Sequence, residues 1–133
     1  MMNIGYLDAL PEVANVHSVN LFDGEKVVFT ADKVLFGTEK DRMLGMDSRF
    51  TLTNKRIIAD NGVGIWTVDI QSDIVNYGKV QTKLLKQVYF TIDLNAEMVF
   101  DSGKQSLTGF HFYFKKKTDD GAKFEAIMNN VFK

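Results

Sequence analysis

Two histidines are the residues of this sequence best suited to acid–base or metal chemistry near neutral pH. His17 lies in or after a predicted N-terminal helix, and His111 lies on a predicted strand beside Tyr113. Neither has a histidine, cysteine or glutamate partner at the spacing of metal ligands. The sequence has no cysteine, which excludes disulfides, thiolate catalysis and cysteine-bound metals. We therefore interpret both histidines as surface or interface residues.

Paired carboxylates offer a second route to chemistry, because they can exchange protons or hold a cation. Asp69 and Asp73 are four residues apart, and Asp119 and Asp120 are adjacent. The first pair follows a predicted strand and the second begins a predicted helix, so we favour a structural role for both. The sequence contains no nucleophile elbow, phosphate-binding glycine loop or zinc-binding His-Glu-x-x-His motif. It therefore predicts a protein that is not an enzyme, with no catalytic residue, metal or cofactor.

A basic cluster and an apolar loop are suited to an anionic membrane surface. The cluster consists of Lys104, Lys115, Lys116 and Lys117. Each basic charge near such a surface contributes about 1 kcal/mol, but lysines at a strand end also discourage aggregation, which is the interpretation we favour. The loop after the first predicted strand adds further candidate lipid or partner contacts: Lys40, Arg42, Met43, Leu44 and Met46. Such an apolar tip can insert into a membrane, dock on another subunit or fold back over the domain, and we favour self-association.

Two predicted strands place aromatic side chains on the face opposite the core. In the last strand Phe110, Phe112 and Phe114 alternate with His111 and Tyr113. The preceding strand offers Tyr89 and Thr91 between apolar residues. Because aromatic residues are enriched at protein interfaces, we interpret four residues as a candidate self-association face: Tyr89, Thr91, His111 and Tyr113.

Composition narrows the class of protein. The chain has 133 residues, of which 45% are hydrophobic, and a net charge of −1. These values fit one globular domain and give no basic excess for nucleic acid, so no nucleic-acid partner is expected. The N-terminus lacks the features of a signal peptide, and no segment is apolar enough to span a membrane. We expect a cytoplasmic protein.

The hydrophobic pattern predicts strands followed by one helix. A short helix is expected from Pro11 to Val19, and about seven strands between Glu25 and Lys115. A break is expected at Asp32-Lys33, tight turns at Thr53-Asn54 and Asp60-Asn61-Gly62, and separate strands at 87–93 and 97–101. Residues 72–86 are ambiguous. The final helix carries an apolar stripe: Phe124, Ile127, Met128, Val131 and Phe132.

One stretch resembles a known family. The run from Phe50 to Ile58 contains Leu-Thr-Asn-x-Arg-hydrophobic between two predicted strands, with Gly24-Glu25 upstream and Val68 to Ile74 downstream. This pattern is similar to bacterial pleckstrin-homology-like (PH-like) and GRAM domains. The resemblance implies an all-β PH-like barrel over residues 24–133, with two orthogonal antiparallel sheets capped by the C-terminal helix. Residues 1–23 are then an N-terminal extension with an extra helix.

The resemblance implies a non-catalytic binding or assembly module. The expected partner is another protein or a second copy of the chain in a homo-oligomer. The alternative is peripheral binding to anionic membrane lipid through 115–117 and 43–46.

Overall fold

The computed structural model describes residues 3–37, 48–60, 62, 65–81, 88–100, 105–114 and 119–132. Over these ranges the chain forms seven antiparallel strands and three helices. The strands are β1 (Val27–Gly37), β2 (Ser48–Thr53), β3 (Arg56–Asp60), β4 (Ile65–Asp69), β5 (Ile74–Gln81), β6 (Val88–Phe100) and β7 (Gln105–Phe114). The helices are α1 (Gly5–Ala9), α2 (Ile70–Asp73) and α3 (Asp120–Val131).

All seven strands belong to one sheet, in the order β4-β3-β2-β1-β7-β6-β5. Backbone pairing therefore does not divide the described strands into the two orthogonal sheets that the resemblance implied. It does not close a barrel either, because β4 and β5 are the two edge strands. The expected antiparallel strands and C-terminal helix are confirmed. The central strand β1 joins the two halves by pairing with both β2 and β7.

The predicted break in β1 is a β-bulge and not the end of a strand. The register with β2 shifts between Ala31 and Val34, and Lys33 adopts a left-handed φ of 56°. A bulge adds a residue and bends the strand without ending its pairing. After the bulge, Val34 to Gly37 pair with β7. The bulge thus lies where β1 changes its main partner.

The core lies on one face of the sheet, beneath α3. The predicted stripe of this helix is confirmed, since Phe124, Met128 and Val131 are fully buried and Ile127 and Phe132 pack partly buried against the core. The Phe124 ring lies 5.1–5.9 Å from rings on β1, β2, β6 and β7. Edge-to-face and tilted ring contacts of this kind add to the burial of apolar area. The helix is therefore an integral layer of the core.

The N-terminal helix differs from the prediction. It comprises Gly5–Ala9 and ends before Pro11, whereas a helix from Pro11 to Val19 was expected. Leu10 is extended, with ψ of 147°, because a following proline disfavours helical backbone at the preceding residue. The proline therefore ends a helix here. Leu7 on this helix is fully buried in the core.

The structure defines one region that the sequence left ambiguous and corrects the prediction for another. The ambiguous region holds α2 and the eight-residue strand β5. The two short strands expected at 87–93 and 97–101 form one strand, β6, whose register with β7 shifts between Asp93 and Met98. The tight turn between β2 and β3 is confirmed, with only Asn54 and Lys55 between the strands.

Candidate functional site

The residues that carry the family resemblance form a buried ionic and hydrogen-bonded network. Arg56 donates to both carboxylate oxygens of Glu25, from Nε at 2.8 Å and from its terminal nitrogen at 3.1 Å. The Glu25 side chain is fully buried and that of Arg56 is 11% exposed. Arg56 also donates to the carbonyl of Asn20, and its guanidinium lies 4.0 Å from the centre of the Phe22 ring. This bidentate pair fixes the β2–β3 turn to the chain that enters β1.

The neighbouring Thr53 and Asn54 complete the network. The Thr53 hydroxyl donates to Glu25 at 2.6 Å and accepts from the backbone N–H groups of the turn. The Asn54 side chain accepts from the N–H of Lys26, and donates to Asp8 at 2.8 Å and to the carbonyl of Gly24. The motif therefore holds the turn, the start of β1 and α1 together, so its described role is structural.

The network also controls the charge of Glu25. Burial raises the pKa of this carboxyl, but hydrogen bonds from Arg56, Thr53 and the N–H of Phe22 outweigh burial. The net result is a pKa below the usual range for glutamate. Glu25 is thus an ionised structural anion and is not poised to exchange protons near neutral pH.

The predicted self-association face is assembled on the outer side of β6 and β7. The Tyr89 ring lies 5.1 Å from that of Tyr113 and 5.5 Å from that of His111, both in edge-to-face geometry. Thr91 is the direct cross-strand partner of His111. All four side chains are half-buried, whereas Phe112 on the opposite face of β7 is fully buried. The structure therefore brings these four residues together on one surface.

The predicted carboxylate pairs have structural positions. Asp69 caps α2 by accepting from the N–H of Ser72 at 2.9 Å, and Asp73 accepts in return from the N–H of Asp69 at 2.8 Å. Reciprocal bonds of this kind satisfy the free donors at a helix start. Asp119 lies at the start of α3, and the side chain of Lys123 is 3.5 Å from it. The described residues contain no cluster of three or more histidines, cysteines or acidic residues that could hold a metal.

His17, interpreted from the sequence as a surface or interface residue, lies in a contact within the chain. Its side chain is 7% exposed, and its ring nitrogens lie 3.0 Å from Thr51 and 3.0 Å from Asp32. These contacts fix the N-terminal segment onto the outer face of β2. Sequence spacing did not reveal them, because 34 residues separate His17 from Thr51.

A cavity of about 230 Å³ lies between that segment and the sheet. Thr51, Ile58 and Thr67 are cross-strand partners on adjacent strands and line it from the sheet. Arg49, Asp60 and Ile65 form the next row of the same sheet and also line it. Residues 17–20 line the opposite side. No sequence pattern indicates this cavity, since its walls come from segments that are distant along the chain.

Tyr77 is a further titratable residue, and it packs against the hydrophobic core. Its hydroxyl is buried and makes no hydrogen bond with the described residues. Burial, and then the charge of Glu125, raises the pKa of this phenol, which therefore stays neutral. The ring stacks on Phe90 and Phe132. Tyr77 thus acts as an aromatic core residue between β5 and α3.

The remaining predicted contacts lie outside the described residues: Lys40, Arg42, Met43, Leu44, Met46, Lys104, Lys115, Lys116 and Lys117. Among the described helices, none has the length and apolar character that crossing a membrane requires.

The strand order and the C-terminal helix define a PH-like fold. One solved structure that shares this fold is the Vps36 N-terminal PH domain, with a TM-score of 0.63 and 19% sequence identity. The match covers 92% of this chain and 90% of that chain. No family model and no curated protein matches the sequence. At this identity the likeness establishes the fold alone.

Proposed function

We propose that the protein is a non-catalytic PH-like module that self-associates through the outer face of β6 and β7. We define this aromatic face by Tyr89, Thr91, His111 and Tyr113. The observation that carries the proposal is the packing of three rings against one another on the side of the sheet away from α3. The PH-like fold supports a binding role. A bacterial, cytoplasmic protein without a nucleic-acid partner remains the expectation from the sequence.

The surroundings of the aromatic face favour close approach of a flat partner. Gly78 is the cross-strand partner of Thr91, and Gly37 is the partner of His111. Both positions lack a side chain, which keeps this part of the surface low, with the Thr91 hydroxyl lying over Gly78. Tyrosine provides large contact area with few rotatable bonds, which makes it effective at interfaces. A symmetric dimer would bury the same residues from both copies.

A charge placed in the aromatic face tests self-association. Thr91→Lys introduces an ammonium group at the centre of the face, and its burial without a partner should weaken the contact at least about tenfold. Gln71→Lys, on the exposed surface of α2, adds the same charge elsewhere and is the matched control. We expect an oligomer for the wild type and Gln71→Lys in sedimentation velocity, and dissociation of Thr91→Lys to monomers. A wild-type monomer at high concentration, or an unchanged Thr91→Lys oligomer, contradicts the proposal.

Binding to anionic membrane lipid through 115–117 and 43–46 is the second proposal. Both segments lie outside the described ranges, so the support for this proposal comes from the sequence pattern alone. Co-sedimentation with vesicles that contain phosphatidylserine tests it. Binding that falls with increasing salt supports a charge-driven contact, and absence of binding at low salt excludes it.

A further inference from the structure

The cavity between residues 17–20 and β2–β4 is a built feature of the fold. The Asn15 side chain accepts from the N–H of Val19 at 2.9 Å and donates to its carbonyl at 2.9 Å, which closes the segment into a compact loop. His17 then fixes this loop to β2 and to β1 through Thr51 and Asp32. The wall of the cavity is therefore held in place before any ligand binds.

The backbone of this wall includes an unfavourable conformation. Ser18 has a left-handed φ of 54°, which is uncommon for a residue other than glycine. Such conformations cluster at ligand sites, where surrounding contacts maintain them. Here the N–H of Ser18 donates to the carbonyl of Asn15 at 3.1 Å, and Ser18 itself lines the cavity. The loop therefore presents Ser18 to the cavity in a fixed backbone conformation.

Several polar side chains along the cavity are available to a ligand. The side chains of Ser18, Asn20 and Thr67 line it and make no hydrogen bond with any other described residue. The Arg49 side chain donates to Asp60 at 3.1 Å, and this is its one side-chain hydrogen bond within the described residues. A guanidinium has five N–H donors, so most of those on Arg49 are available. The Asp60 carboxylate also accepts from the N–H of Gly62, which leaves it less able to bind a cation.

The two arginines that line the cavity have different roles. Arg56 is compensated by the buried Glu25. The Arg49 side chain is 52% exposed and its partner Asp60 is 22% exposed. Exposed ion pairs with a single contact contribute little, so an incoming anion can bind Arg49 at small cost. Arg49 is therefore the group best placed to bind an anion in the cavity, in competition with Asp60.

The size and apolar walls restrict the ligand further. A volume of about 230 Å³ is below that of typical drug-sized sites, so the ligand is small. Val19, Ile58 and Ile65 line the cavity and can contact an apolar body. We propose that this cavity binds a small molecule with one carboxylate or phosphate group, held by Arg49, and a short apolar body, held against Ile58 and Ile65. This site is separate from the aromatic face on β6 and β7.

Titration followed by amide NMR tests the proposal. The probes are phenyl phosphate, benzoate and uncharged benzyl alcohol, which share an aromatic body and differ in the head group. We expect saturable shifts of the amides of Thr51, Ile58 and Thr67 with at least one of the two anions at millimolar concentration, and much weaker shifts with benzyl alcohol. Binding of only one anion supports the proposal and identifies the head group.

Matched variants locate the contact. Arg49→Gln should weaken anion binding at least about tenfold, because it removes charge-assisted hydrogen bonds. Lys79→Gln is the control, since Lys79 forms a similarly exposed ion pair with Glu125 beyond the cavity. Thr67→Val removes one hydroxyl with little change of shape and should weaken binding less. Absence of saturable shifts with both anions, equal binding of benzyl alcohol, or unchanged affinity in Arg49→Gln overturns the proposal.

Discussion

Replacing Glu25 by glutamine tests the network that carries the family resemblance. Both side chains of the Glu25–Arg56 pair are buried, with exposures of 0% and 11%. Removal of one partner from a buried ion pair costs about 3–5 kcal/mol, because the other charge is left uncompensated. The glutamine side chain still offers an acceptor to the Thr53 hydroxyl, and Arg56 still donates to the carbonyl of Asn20. We therefore expect a loss of unfolding free energy at the lower end of this range, about 3 kcal/mol. Urea unfolding at neutral pH measures this loss.

Asp60→Asn provides a matched control for that variant. The Arg49–Asp60 pair has a similar distance, 3.1 Å, but its side chains are 52% and 22% exposed. Solvent screens such a pair, and its removal should cost about 1 kcal/mol or less. The slope of the unfolding free energy against urea should stay the same in both variants, since neither changes the area exposed on unfolding. If both variants lost the same unfolding free energy, burial would not be what makes the Glu25–Arg56 pair important.

The stability that Glu25 contributes should depend on pH in a definite direction. Because the pKa of Glu25 is lowered in the folded state, the folded protein favours the ionised carboxylate. The resulting stability is complete above the unfolded pKa, about 4.3, and is lost as the pH falls through the lower folded pKa. The difference in unfolding free energy between wild type and Glu25→Gln should therefore shrink on acidification. A difference that stays constant or grows as the pH falls would contradict this account.

The remaining predictions concern packing. Deletion of residues 124–133 removes three fully buried side chains, each contributing about 1.5–3 kcal/mol, and should abolish the dispersed amide NMR spectrum of a folded domain. Gly109→Ala should destabilise the protein, because a Cβ there lies 3.0 Å from the carbonyl oxygen of Ile92 and 3.3 Å from Asp93. Gly121→Ala, which has space within α3, should instead raise the free energy of unfolding by roughly 0.5–1 kcal/mol. Thermal and urea unfolding distinguish the two glycines, and a stable Gly109→Ala protein would show that β6 and β7 separate easily.

Local patterns predicted the parts of the fold that depend on neighbours in sequence. The alternation around Phe112 and the stripe of α3 identified buried faces, because periodicity directly reports which side chains share a side. The position of the N-terminal helix was wrong, since Pro11 fits either a helix start or the residue just beyond a helix end. The bulge at Lys33 was also misread, as a break between two strands. Polar residues disturb the alternation, but pairing with β7 maintains the strand.

Long-range polar contacts were the least predictable part of the candidate site. The sequence motif drew attention to Arg56, yet its partner Glu25 lies 31 residues earlier. Likewise, His17 and Thr51 meet only because the N-terminal segment crosses the outer face of β2. Local secondary-structure propensity does not determine either of these contacts. The aromatic face was easier to anticipate, because its residues alternate with core positions along two neighbouring strands.

The position of β1 between β2 and β7 has a consequence for the order of folding. Strands β1–β4 and β5–β7 are two runs of neighbours joined along the chain, so each can form from local contacts. The β1–β7 partners, in contrast, are 74–80 residues apart in sequence. Bringing such distant segments together costs chain entropy before it gains packing, and contacts of this kind slow folding. Joining the two runs at β1 and β7 is therefore the expected rate-limiting event, and destabilised forms would expose two incomplete sheets with unpaired edges.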